Sequence, residues 1–181
     1  MDLKLIDGFF WGCELRLPEW AGYQSRHGAY GSIDSPAPST GRVKLVYAPD
    51  GRDTEPLTNA EMELLKWFEK HHARVSHAVF AAILDWCSPN GRQRRQDFGW
   101  GDEFPEISDL EQLKSHLGLH TVCVHQFADR KNPYIGFEFG CDWEEEHGLG
   151  VLMHGTRCVE IGQADSAFTL WRVIQDAERS S

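Results

Sequence analysis

Between positions 142 and 147 stand Asp142, Glu144, Glu145, Glu146 and His147, with His154 shortly after and His125 on a strand expected alongside. Imidazole and carboxylate are ligands for zinc and similar ions. A set drawn from Asp142, His147, His154 and His125 would give a metal-assisted hydrolase centred on the Glu146/His147 turn. The spacing is not that of H-E-x-x-H, which places two histidines on one helical face. A run of acids at a turn also serves as a solvated tip that keeps strand edges from pairing with other molecules. The two readings of this turn differ in one respect: catalysis requires its groups to converge with a third.

Elsewhere the chemistry is thinner. His71, His72 and His77 have no spacing for a shared ligand face, and Gly118 interrupts the helix that His116 and His120 would need. The chain contains no G-x-S-x-G nucleophile signature. Gly148-Leu-Gly150 is followed by Val151-Leu-Met, a strand pattern where a phosphate loop needs a helix N-terminus. Glu138 and Asp142 share a strand face, but a single strand defines no glycosidase pair. Arg92, Arg94 and Arg95 beside Phe98 and Trp100 are able to grip an acidic ligand. A solvated basic loop next to the acidic segment 102–106 is the expectation. Five widely separated cysteines without a C-x-x-C pair are expected to be unbridged core residues.

The elements that must position these groups are legible from patterning. In Tyr134–Glu144, Ile135, Phe137, Phe139, Cys141 and Trp143 alternate with Tyr134, Gly136, Glu138, Gly140, Asp142 and Glu144. That period predicts a strand with one face in a core and one toward water. Runs at 119–127, 134–144, 151–154 and 157–161, joined by short links, predict an antiparallel meander, with 145–150 as an acidic turn. Thr58 with Glu61 is a capping box, flanked by a Leu57/Met62 staple. Apolar stripes through Leu64, Leu65, Phe68 and Val75, then Val79, Ala82, Ile83 and Trp86, predict two helices packed as a helical hairpin, with one bent helix as the alternative. Ser108 and Glu111 mark a further short helix ended by Gly118. A C-terminal helix over 164–178 is expected to bury Ala167, Leu170, Trp171 and Ile174. Residues 9–17 and 43–47 read as strands, and 18–41 and 88–106 as long connections. The class is α+β: an antiparallel β-meander with a helical hairpin and a C-terminal helix. One domain spans 1–181, comprising a strand-and-loop part (1–50), a helical part (55–118), the meander (119–162) and the last helix (164–178).

With 41% apolar and 25% charged residues, the chain has the composition of an ordinary globular protein. No apolar run reaches the length that crosses a bilayer, and the N-terminal residues lack a secretory pattern. A cytoplasmic protein, not associated with membrane, is expected. A formal net charge of −10 argues against nucleic-acid binding and suits a basic protein partner. No cofactor is expected.

The segments Tyr134-Ile-Gly-Phe, Trp143-Glu-Glu-Glu-His-Gly-Leu-Gly-Val151 and Val159-Glu-Ile-Gly-Gln-Ala-Asp165 resemble a family of uncharacterised bacterial proteins, a domain of unknown function with a W-x-x-E-H-G-L-G-V turn. The resemblance covers about residues 55–166, more loosely at the Leu57-Thr58 helix, and leaves the N-terminal fifty residues unmatched. It implies no established activity; similar proteins are associated with immunity or accessory roles. Tyr134, Trp143, Glu146, His147 and Gly148 are the binding candidates it singles out. The expected function is a small binding protein, of immunity type, occupying a basic partner. Metal-assisted hydrolysis at the Glu146/His147 turn is the alternative.

Overall fold

The computed structural model describes residues 1–6, 8–49, 54–100, 104–129 and 132–179. Strands β1 (Lys4–Ile6), β2 (Phe10–Ala21) and β3 (Thr40–Tyr47) are followed by helix α1 (Asn59–Cys87), the short helices α2 (Arg92–Asp97) and α3 (Leu110–Lys114), then strands β4 (Leu117–Asp129), β5 (Asn132–Cys141), β6 (Glu144–His154) and β7 (Arg157–Gly162). A 3-10 turn (Ala164–Ala167) leads to helix α4 (Leu170–Arg179).

The seven strands lie in one sheet in sequence order. Each neighbouring pair is antiparallel except β3 and β4, which run parallel. Parallel neighbours require a crossover, and α1 supplies it. The expected meander is therefore the second half of a larger sheet to which the N-terminal strands also belong.

The helical hairpin is replaced by one helix, Asn59–Cys87, which its rise makes about 44 Å long. The polar stretch His71–Arg74 is a surface of this helix, with no proline or glycine to break it. Its start is as expected: Thr58 N–H donates to Glu61 Oε2 (2.6 Å) and Glu61 N–H reaches back to Thr58 Oγ1 (3.4 Å). Leu65, Phe68, Val75, Val79, Ile83 and Trp86 form its buried stripe. They pack on Leu45, Phe137, Phe139 and Val151 of the sheet. Trp20 seals this layer, its indole N–H donating to Ser76 Oγ at 2.9 Å.

The alternation in β5 holds, but its second face is not toward water. Tyr134, Gly136 and Gly140 are as buried as Ile135 and Phe137, while Glu138 is half-buried and Asp142 exposed. An outer layer made of the 22–39 loop, the Ala164–Ala167 turn and α4 covers that face. The 18–41 connection is shorter than expected, because β2 continues through Pro18 to Ala21, and Trp20 and Tyr23 lie in the core. The 88–106 connection contains α2, and Arg95 is buried rather than solvated. Helix α3 is capped by Asp109, whose Oδ1 accepts from Gln112 N–H (2.9 Å), and Gly118 belongs to β4. Helix α4 buries Val173 and Ala177, whereas Trp171 and Ile174 are exposed. All five cysteines are unbridged.

Candidate functional site

The acidic segment is not a turn. Asp142 and Trp143 make the tight link, and Glu144, Glu145, Glu146 and His147 already belong to β6. Of the three consecutive glutamates, Glu144 is the one that the fold engages. Its carboxylate accepts the indole N–H of Trp100 (2.7 Å) and the backbone N–H of His147 (3.1 Å), with His147 Nδ1 at 3.3 Å. Burial pushes its carboxyl up, but the Trp100 and His147 donors together outweigh it and hold the carboxyl below the usual range. The hairpin end is thereby tied to the 88–106 segment, where Trp100 also packs edge-on against Trp86. Glu145 and Glu146 are exposed, and Trp143 is half-buried against Phe104.

Asp142 points the other way. It pairs with the buried Arg26, accepts from Gln24 Nε2 (3.1 Å) and lies 3.3 Å from His116 Nδ1. Arg26 also donates to Gly31 O (3.3 Å). This cluster pins the 22–39 loop over Gly118 and Gly140, where an added Cβ would fall 2.4 Å from Gln24 O and 2.0 Å from Gly31 O.

The other candidates dock the outer layer. His125 is buried with Nε2 2.9 Å from Ala167 O, and burial holds its imidazole below the ordinary pKa. His154 stacks on Tyr134 (ring centroids 4.3 Å apart). Tyr134 donates its hydroxyl to Asp176 of α4 (2.8 Å), which also accepts a forked pair of bonds from Arg157. The Arg157 and Tyr134 donors hold the Asp176 carboxyl low.

The glycines provide the seat. Gly136 on β5 and the facing pair Gly150 and Gly162 on β6 and β7 lie beneath the 164–167 turn. A Cβ on Gly136 would come within 1.8 Å of Ala167 O, and one on Gly150 within 2.4 Å of Gln163 O. Gly148 has φ 59, the left-handed region that favours glycine.

Asp142, His147, His154 and His125 are thus dispersed onto four different sets of partners. Among the described residues, no group of three or more His, Cys, Asp or Glu is placed to hold a metal ion. Four residues carry structure or exposure that the sequence did not disclose: Glu144, Arg95, Asp176 and Trp171. Only the proximity of Trp100 and Glu144 to aromatic and acidic runs hinted at the first.

Fold and site together define an α+β domain whose most patterned segment anchors its own layers. The chain belongs to the family described as Domain of unknown function (DUF6985), matched over residues 19–168. The match begins well before residue 55, so it takes in the 22–39 loop as well as the meander; β1 and α4 lie outside it. No curated protein and no solved structure matches the chain significantly.

Proposed function

We propose that this is a binding protein for a basic protein partner, contacted through the outer layer on the sheet face opposite α1. The observation that carries the reading is the exposure of Phe168, just before α4, and of Trp171 and Ile174, three residues apart on it, with Trp171 54% exposed. Single exposed apolar residues need no explanation, whereas a contiguous series marks an interaction surface. Exposed acids, Asp165 and Glu178, stand at its two ends. Arg172 lies 4.0 Å over the Trp171 ring and pairs with Glu160 (3.0 Å), so its charge is countered locally.

The 22–39 loop adds a second exposed element on the same side. Tyr30 is 92% exposed and has φ 56, a left-handed backbone that costs about 1–2 kcal/mol for a residue with a Cβ. Ile33 is exposed beside it in sequence. Aromatic anchors with acidic neighbours suit a basic, partly apolar surface. Occupying such a surface in the cytoplasm, as an immunity-type inhibitor does, is the finer form of this reading.

Affinity capture with the wild-type chain, followed by calorimetric titration of each repurified candidate, tests it. The expected partner is basic, and Trp171→Ala weakens it at least tenfold. A partner bound as tightly by the Trp171→Ala and Tyr30→Ala chains as by the wild-type chain contradicts the reading. The hydrolase alternative lacks comparable support, since Glu146 is exposed and His147 is engaged by Glu144.

A further inference from the structure

Between the C-terminal end of α1 and the segment at 104–108 lies a cavity of about 550 Å³, within the range of small-molecule sites. Trp100, Phe104, Ile107 and Leu84 provide apolar walls, and Arg95 provides a cation. Arg95 is only 7% exposed. Its Nη1 donates to the carbonyls of Trp86 and Ser88 (2.9 Å to the latter). Its guanidinium carbon sits 4.6 Å from the Phe104 ring centroid and 5.6 Å from that of Trp86. The fork is therefore fixed in place. Among the described residues no carboxylate pairs with it, and no protein acceptor meets its Nε or Nη2.

We infer that this cavity binds a small organic acid, a carboxylate carried on a flat apolar body, with Arg95 as its anchor. A buried guanidinium without a counter-charge is costly, and a carboxylate relieves that cost by accepting both remaining donors side by side. The planar cation already lies over an aromatic ring, and the remaining walls suit a flat apolar group. A single recessed fork fits a monoanion better than a phosphate dianion, whose desolvation is greater. Arg92, exposed, also lines the cavity, and Glu106, likewise exposed, is the acid of its lining among the described residues. Burial pushes the Cys87 thiol at this wall up to about 12, so it serves as a packing group and not as a nucleophile.

The test is titration of the ¹⁵N-labelled wild-type chain with benzoate and indole-3-acetate. The matched amides, benzamide and indole-3-acetamide, and inorganic phosphate are run alongside. The acids are expected to saturate with dissociation constants of about a millimolar or tighter, shifting the Trp100 indole N–H. The amides and phosphate should bind at least tenfold more weakly. Equal binding of acid and amide, preference for phosphate, or no saturable shift at Trp100 overturns the inference. Arg95→Lys keeps the charge and removes the fork; it should weaken both acids at least tenfold, and unchanged affinity would also overturn the inference. Should that variant fail to fold, the acid-to-amide comparison on the wild-type chain decides alone.

Discussion

Replacing Gly136 with alanine should unseat the outer layer from the sheet. The new Cβ would stand 1.8, 2.6 and 2.8 Å from the oxygen, carbonyl carbon and Cα of Ala167, all backbone atoms that cannot rotate aside. The 164–167 turn would have to retreat by more than an ångström. That movement breaks the 2.9 Å contact between His125 Nε2 and Ala167 O, and it levers α4 away from Tyr134 and Leu152, where Val173 and Ala177 pack. Overpacking costs about 1–3 kcal/mol, and a lost buried hydrogen bond adds about 1 kcal/mol. The sum, about 2–4 kcal/mol, lowers the melting temperature of a chain this size by roughly 5–15 °C. Gly99→Ala is the control: its Cβ would meet nothing within 4 Å, and its φ of 79 leaves only the conformational cost of about 1 kcal/mol. Thermal melts followed by circular dichroism compare the two. If Gly136→Ala costs no more than Gly99→Ala, the glycines are not a seat for the turn.

Phe137→Ala, at a fully buried position packed on Trp20 and Phe68, should cost about 3–5 kcal/mol in urea unfolding through lost transfer energy and a cavity. Glu144→Ala should cost about 1–3 kcal/mol, chiefly by stranding the buried Trp100 indole, and a Glu144→Ala chain as stable as wild type would remove Glu144 from the account. Burial depresses the His125 pKa below its ordinary 6.5, so the unfolded chain takes up protons first as pH falls. Stability should therefore drop as pH falls from about 6.5 toward the folded pKa, and His125→Gln should flatten the slope of unfolding free energy across that window. The Asp176 carboxyl is also held low, chiefly by Arg157, and its contribution, present above the ordinary carboxylate range, should vanish as pH falls through its folded pKa and be absent at every pH in Asp176→Asn.

The parts of the fold that sequence patterning conveyed are those whose buried residues are large. Ile135, Phe137 and Phe139 announce β5, and the Thr58/Glu61 box with the Leu65–Trp86 stripe announces α1. The outer layer stayed hidden because its contact surface is glycine. Gly136, Gly140, Gly150 and Gly162 carry no apolar signal, so positions closed by another backbone look like positions open to water. The acidic turn was displaced for a related reason. Gly148 and Gly150 suggested a loop, although Gly148 needs its positive φ within a strand and Gly150 needs only room. In α4 the bulk of Trp171 and Ile174 argued for a core stripe, while the smaller Val173 and Ala177 fit against the sheet. Arg95 belongs to a basic run, and the Trp86 and Phe104 rings that bury it lie nine residues to either side, brought onto it by the turn between α1 and α2 and the segment after it. Of the site candidates, Asp142 at Arg26 could not be foreseen, since it depends on where the 22–39 segment crosses the hairpin, whereas His147 at Glu144 is a local contact three residues apart that neighbouring acids already suggest.

Binding through the outer layer is tested most directly by hydrogen–deuterium exchange on the wild-type chain, alone and saturated with its repurified basic partner. Protection should rise at residues 29–33 and 168–178 and remain unchanged on the exposed face of α1. Protection confined to α1 or to the Glu145–His147 strand end, with none at Trp171, would contradict the proposed surface.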